Sequence, residues 1–343
     1  MTSQPILLSI CIPSYNRPEL IARLLASIDA PPGDVEIVVG EDKAPRREEV
    51  RAAVGEFRRS SPYAVNYYEN EHNLSYDKNV RGLIEQARGD FVLFMGDDDW
   101  FIPGKLGSYL EFLRANRDVG YVLRSYCAQH PNGKLEMFSY CPETRRFAPG
   151  IDACVFHYKR TVSIGGVTFR RERALQYATD RFDGLLLYQL YLVAEVALHE
   201  PTIYCDIPVA IAAQTFREDN AQFGTALAER KAFQPGKITA HTSVNFTKGF
   251  FVISKYIDGK YGIDTTTPIR RDLSKYAYPF LSIQRKRGRR EFLAYACQLA
   301  RETQLNQTWH YYFYSAALWL FGENMCDKGI VRVKRLLGHT PRL

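Results

Sequence analysis

The chain has 343 residues, of which 46% are hydrophobic and 13% aromatic, and carries a formal charge of +7. That composition can bury a full core and excludes a disordered or fibrous chain. Seven cysteines, an odd number without a C-x-x-C pair, speak against a disulfide framework or a cysteine zinc site and read as reduced, mostly buried thiols.

The opening residues carry neither a positively charged segment nor a small-residue cleavage site, so no signal peptide is expected and the protein is expected in the cytoplasm. Residues 6–12, Ile-Leu-Leu-Ser-Ile-Cys-Ile, form an apolar run of the kind found in strands buried on both faces of a parallel sheet. After the loop Pro13-Ser14-Tyr15-Asn16-Arg17-Pro18, apolar residues at 20, 21, 24, 25 and 28 predict a helix that Pro31-Pro32-Gly33 stops. A second strand is predicted over 35–39, ending at Gly40-Glu41-Asp42, followed by a helix over about 46–58 and a strand over 64–68. Residues 75–87 read as a helix and 90–95 as a fourth apolar strand that ends at Gly96-Asp97-Asp98-Asp99. Strands alternating with helices imply a doubly wound, mostly parallel α/β sheet flanked by helices.

Beyond residue 120 the pattern loosens. Strands are predicted over 119–125 and 162–169, a helix over 184–196 and an extended stretch over 200–215, before a helical, basic C-terminal extension. The organisation expected is residues 1–115 and 116–218 as two halves of one domain, with 219–343 as the helical region. All of the excess charge sits in the tail: residues 282–343 hold eleven Lys or Arg against four Asp or Glu. The clusters 285–290 and 332–335 flank the aromatic stretch 309–321, which at 13 residues falls short of the roughly 20 that span a bilayer. Two readings stand side by side, a helix lying on an anionic membrane leaflet and a core helix with solvated basic neighbours. No nucleic-acid motif accompanies the charge, so no nucleic-acid partner is expected.

Open α/β sheets bind ligands outside the carboxyl ends of their strands. Ser14-Tyr15-Asn16, Glu41-Asp42 and the three aspartates all fall at such ends. Three adjacent carboxylates repel unless a cation neutralises them, which suggests Mg²⁺ or Mn²⁺ bridging a substrate diphosphate; an acidic turn or a helix cap before Pro103 is the alternative. Asp42 could accept from a base N–H or a sugar hydroxyl, Tyr15 could stack on a base, and Lys78 could offset phosphate charge. Each has a purely structural reading as well: a capping residue, a packed ring, a surface lysine.

Four stretches, Ser9–Arg17, Glu36–Asp42, Asn73–Asn79 and Gly89–Pro103, together resemble the family 2 glycosyltransferases in order and spacing over about the first 110 residues. The resemblance implies a GT-A fold, a Rossmann-like sheet with a D-x-D type metal motif, and an inverting glycosyltransferase that uses a nucleotide-diphosphate sugar donor. Carried over by position, Pro13, Tyr15 and Asp42 would hold the nucleoside, with Arg17 in the same nucleotide-sugar-binding group. Lys78 would lie near base or diphosphate and Asp97 near the ribose, while Asp98 with Asp99 would take the metal. Gly96 replaces the first Asp of the commoner D-x-D-D pattern. This version and Ser163-Ile164-Gly165-Gly166 look most like the branch that includes abequosyltransferases of O-antigen assembly. That likeness implies a deoxysugar donor and a saccharide or lipid-linked oligosaccharide acceptor, with a cytoplasmic or peripheral inner-membrane location. Asp183 matches the family's position for the general base, with Asp180 and Glu195 as reserves.

A sugar-nucleotide nucleotidyltransferase is the second reading, although Pro13–Arg17 lacks the glycines of its phosphate loop. A non-catalytic carbohydrate-binding or scaffold protein is the third. His72, His130, His157 and His199 show no ligand spacing and read as structural or surface residues.

Overall fold

The computed structural model describes residues 6–130, 133–213 and 223–337, with the side chains of Val331 and of residues 333–337 excepted. Of the second basic cluster, residues 333–335 therefore lie outside the described side chains. The strands are β1 (Leu8–Ser14), β2 (Val35–Glu41), β3 (Ala64–Glu69), β4 (Phe91–Phe94), β5 (Trp100–Phe101), β6 (Tyr121–Gln129), β7 (Leu135–Phe138), β8 (Arg145–Phe147), β9 (Thr168–Arg170) and β10 (Thr202–Ala213). They form one sheet in the order β3-β2-β1-β4-β9-β6-β10-β5, with β7 on β6 and β8 on β10.

The first four strands pair in parallel, as their continuous apolar runs require. β9 is antiparallel to both β4 and β6, so the sheet is parallel in its N-terminal half and mixed beyond. The chain moves outward from β1 to β2 and β3, then returns to the other side of β1 as β4. The carboxyl ends of β1 and β4 therefore bound a topological switch point, where a crevice opens in sheets of this kind.

Successive residues of each strand face opposite sides. Ile10, Ile37 and Leu93 pack on α1 (Pro18–Ala26), α2 (Arg47–Ser60) and α4 (Lys105–Ala115). Cys11, Val38 and Phe94 pack on the opposite layer, which contains α3 (Tyr76–Gln86), α5 (Ile151–Tyr158), α6 (Arg171–Gln176) and α7 (Tyr188–His199). That second core continues without a break into α8 (Ala240–Tyr261), α9 (Thr266–Lys275), α10 (Tyr278–Ser282), α11 (Arg289–Thr303) and α12 (Trp309–Phe321), so the C-terminal helices complete the same body. α13 (Glu323–Leu337) follows.

Two expected elements differ. The strand expected over 162–169 is confined to β9, because Gly166 takes a φ of +86° and breaks the extended run. The helix expected from 184 begins at Tyr188, since Gly184 and Leu186 hold φ of +90° and +64°. All seven cysteines are free, five of them buried.

Candidate active site

The crevice at the switch point is lined by Pro13, Tyr15, Arg17, Asp42, Asp97 and Glu229, together with Ser14, Asn79 and residues of the 73–76 turn. Asn16, at φ 63°, turns the chain sharply after β1. The turn presents the Tyr15 N–H to Asp97 Oδ2 at 3.0 Å, while Arg17 Nη1 donates to Asp97 Oδ1 at 2.5 Å and lies 3.1 Å from Asp98 Oδ2. Ser14 Oγ is buried in the crevice wall and has no hydrogen-bond partner within the described protein. A buried hydroxyl without a partner costs free energy, so a ligand's polar group is the natural occupant.

Of the acidic pair after β2, only Asp42 faces the crevice. Glu41 turns inward, accepting from the N–H groups of Lys43 and Ala44 and from Arg47 Nε. Asp42 Oδ1 accepts from the Leu74 N–H at 2.8 Å and from Asn70 Nδ2 at 2.9 Å, and burial pushes its carboxyl up to about 6. Gly40 is required here: a Cβ would lie 2.6 Å from both Asn79 Oδ1 and the Tyr68 hydroxyl.

The three aspartates diverge. Among the described residues no three His, Cys, Asp or Glu side chains converge on one point, so the triplet is not a three-carboxylate cage. Asp97 faces Arg17 and Tyr15. Asp99 Oδ1 accepts from the Ala213 N–H at 3.0 Å, and its Oδ2 sits against Gly165, where any Cβ would collide with it. Asp98 Oδ1 and Asp99 Oδ2 both approach Gly96, at 3.0 and 3.1 Å from the position a Cβ would take there. Burial and the neighbouring carboxylates raise both Asp97 and Asp99. A cation at Asp98 and Asp99 would relieve that cost, so this pair of hard oxygen donors fits Mg²⁺ or Mn²⁺ completed by substrate phosphates.

Lys78 stands exposed on α3 while its neighbours Asp77 and Asn79 are buried, and it does not line the crevice. The lining cation is Arg17. Asp183 lies outside the lining: both of its oxygens accept from Arg81, at 2.7 and 2.9 Å, and its side chain is 21% exposed. Glu195 is fully buried between Lys260 and the Tyr261 hydroxyl and cannot meet an acceptor, and Asp180 is exposed. None of the four histidines joins the crevice; His157, for one, is buried against Thr202.

Glu229 and Asp77 escaped the sequence reading. Glu229 accepts from the N–H groups of Tyr76 and Gly224, pinning residues 223–229 over the crevice, and burial raises its pKa. Asp77 accepts from the N–H groups of Gly184, Leu186 and Tyr188 at 2.8–2.9 Å and so fixes the loop that carries Asp183. The bond of Glu229 to Tyr76 and those of Asp77 to residues 184–188 cross more than a hundred positions of sequence and leave no local signal.

The profile of glycosyl transferase family 2 matches residues 9–175, from the start of β1 to the end of α6. Residues 9–175 are a family 2 glycosyl transferase domain. The whole crevice, apart from Thr225 and Glu229, falls inside this family 2 domain. The chain is 29% identical over 116 residues to abequosyltransferase RfbV of Salmonella typhimurium, covering 33% of this chain and 34% of that one. It is 25% identical over 129 residues to the GalNAc(5)-diNAcBac-PP-undecaprenol β-1,3-glucosyltransferase of Campylobacter jejuni, covering 37% and 40%. The matches thus span about a third of the length of these curated relatives. Among solved structures, S. aureus TarS 1–349 covers 91% of both chains with a TM-score of 0.51 at 17% identity. That likeness in fold runs beyond the family 2 domain and takes in most of the C-terminal helical region.

Proposed function

We propose that the protein transfers a sugar from a nucleoside-diphosphate donor to a saccharide acceptor, with inversion. The observation that carries this reading is the set of polar groups gathered at the switch point: the buried Ser14 hydroxyl, which has no partner within the described protein, the Asp42 carboxylate, and the Asp98 and Asp99 oxygens flanking Gly96. Asp42 accepts from the base, Tyr15 offers its ring to it, and Ser14 and Asp97 meet the ribose. Asp98 and Asp99 would hold Mg²⁺ or Mn²⁺, which supplies Lewis-acid stabilisation of the departing diphosphate. Arg17 already balances the aspartates and reaches the same opening. The relatives named for abequosyl and glucosyl transfer support a hexose or deoxyhexose donor, and the undecaprenol in the second name supports a lipid-linked acceptor in surface polysaccharide assembly.

Asp183 is the proposed base. The Arg81 fork engages two of about four lone-pair sites of its carboxylate, which leaves sites for an acceptor hydroxyl. Asp183→Asn should abolish turnover while leaving donor binding intact, and retained turnover would end that assignment.

Trp309 is 66% and Phe321 58% exposed on α12, which buries only Tyr311 and Leu318. One side of the helix joins the core through Tyr311 and Leu318, and the exposed rings lie outside it. Arg285 and Arg289 cap the Leu318 and Leu320 carbonyls at its C-terminal end, and Lys286, Arg287 and Arg290 stand exposed beside it. Aromatic side chains next to solvated cations suit peripheral attachment to an anionic membrane surface. Among the described residues no helix is long and apolar enough to cross a membrane.

The first test is calorimetric titration of CDP, UDP, GDP and dTDP with Mn²⁺ or EDTA, on wild type and Asp98→Ala. Cation-dependent binding of one nucleotide, lost in the folded variant, is the expected result. Failure of every nucleotide to bind would favour the scaffold reading.

A further inference from the structure

A second and larger cavity, about 480 Å³, lies between the family 2 domain and the C-terminal helices. Its wall is built from Phe246, Phe250, Phe280 and the rings of Tyr126, Tyr140 and Tyr276. Cores close voids of this size, because lining atoms without neighbours lose their dispersion contacts. The volume falls within the ~300–1,000 Å³ of small-molecule sites. It is therefore a site rather than a packing defect.

Most of the wall is aromatic and aliphatic, and several of its hydroxyls are engaged within the protein. Ser243 Oγ already accepts from Gln284, Thr242 caps α8 with Thr239, Thr247 donates to the Ser243 carbonyl, and the Tyr295 hydroxyl donates to the Phe280 carbonyl. Charge enters at one place. Lys159 Nζ lies in the wall with one of its three donors on Asp272, at 3.2 Å, beside Arg160, whose Nη1 is 3.4 Å from the same carboxylate. The remaining Lys159 donors offer a cationic anchor in an apolar setting. Burial holds Lys159 down near 8, a cost that a bound anion would relieve.

The cavity also connects the two features discussed above. Residues 223–229 wall both spaces, Phe223 facing the cavity and Thr225 and Glu229 the crevice. Ile283 also lines the cavity yet is 46% exposed, two residues before the basic cluster 285–290.

The geometry points to a binding site for an anionic amphiphile, with its alkyl or prenyl chain in the aromatic cavity and its phosphate on Lys159 and Arg160. Its role as the lipid part of the acceptor rests on the transfer reading above; its binding does not.

The test titrates the full chain with hexyl, octyl and decyl phosphate below their micellar concentrations, with octanol, inorganic phosphate and methyl glucoside as controls. One alkyl phosphate should bind per chain, with affinity rising about fourfold per added CH₂. Inorganic phosphate and methyl glucoside should bind at least about a hundredfold more weakly than decyl phosphate, by the same chain-burial argument. Lys159→Gln should weaken octyl phosphate about tenfold, the loss expected of one charge-assisted hydrogen bond, and leave octanol unchanged. Thr247→Trp, which places an indole in the cavity, should block both. Affinity independent of chain length would overturn the proposal on wild-type protein alone, as would alkyl phosphate binding that neither variant alters. Nucleotide binding measured on the same samples separates the two readings. Alkyl phosphate binding without nucleotide binding would sink the transfer reading and leave this site standing, and the reverse would sink this site alone.

Discussion

Asp77→Asn tests whether the loop carrying Asp183 is held at an electrostatic cost. The Asp77 carboxyl is fully buried beneath residues 184–188, and although three backbone N–H groups point at it, burial raises it to about 7. An Asp in the unfolded chain titrates near 3.9. A folded value above the unfolded one means that the native state holds the proton more tightly. The stability contribution is thus complete below about pH 4 and is lost as pH rises through about 7. Between pH 5 and pH 8 the wild type should lose about 3 kcal/mol from this group, a large share of the ~5–15 kcal/mol typical of a domain. Asp42 and Glu229 titrate in the same sense, but they are present in both proteins and cancel in the comparison. The assay is urea unfolding of wild type and Asp77→Asn at both pH values, read as the difference of differences. A variant that keeps the wild-type slope within about 1 kcal/mol would show that the three N–H donors outweigh burial and keep the carboxylate ionised, refuting the reasoning.

Ser14→Ala should leave the melting temperature of the free protein unchanged or slightly raised, since the buried hydroxyl bonds to nothing in the protein, yet weaken nucleotide binding about fivefold to tenfold through one lost hydrogen bond; calorimetry beside thermal unfolding reads both. Gly165→Ala should push Asp99 from its place and lower the affinity for the cation and nucleotide about tenfold or more, as with other residues that orient a ligand. An unchanged titration would mean that Asp99 is not part of that site. Trp309→Ser with Phe321→Ser should reduce partition onto vesicles containing phosphatidylglycerol about tenfold for each ring removed, with no loss of folding stability, because both rings are already exposed; sedimentation of protein with vesicles measures it.

The N-terminal half was legible because its physics is local. A parallel strand buried on both faces must be apolar throughout, so Ile10–Ile12, Val35–Val39 and Phe91–Met95 announce themselves, and the polar residues that follow each run fall at the strand ends. Side-chain direction was harder to read. Lys78 and Asn79 are adjacent in the same motif, yet helical phase buries Asn79 against Gly40 and leaves Lys78 in solvent. The stretch before Tyr188 reads as helix by composition, but Leu186 is held at φ 64° by the carboxylate of Asp77, a tertiary contact that overrides propensity. Glu229 belongs to a segment with no periodicity of its own, and only its bonds to Tyr76 and Gly224 bring it to the crevice.

The Asp97–Asp99 triplet shows how a correct sequence signal can conceal a different arrangement. Mutual repulsion was the reason to expect a cation at the triplet, and the backbone turn separates the three and gives each a different partner. Asp97 is neutralised by Arg17, which comes from the turn after β1. Asp99 is directed into the Gly165 turn, which the buried Arg124 holds through the Gly165 carbonyl at 2.5 Å and the Ser163 carbonyl at 3.3 Å. The run Ser163–Gly166 thus contributes to the site through what it lacks: a side chain at 165 would occupy the space of the Asp99 carboxylate. Asp98, with Arg17 on one oxygen and Gly96 beside the other, is left as the member nearest to solvent. Arg17 and a divalent cation would then compete for the same carboxylates, so donor binding should reposition Arg17 toward the diphosphate. Arg17→Met should accordingly tighten Mn²⁺ binding in the absence of nucleotide while weakening nucleotide binding in its presence. A uniform loss of both would mean that Arg17 only props up the turn.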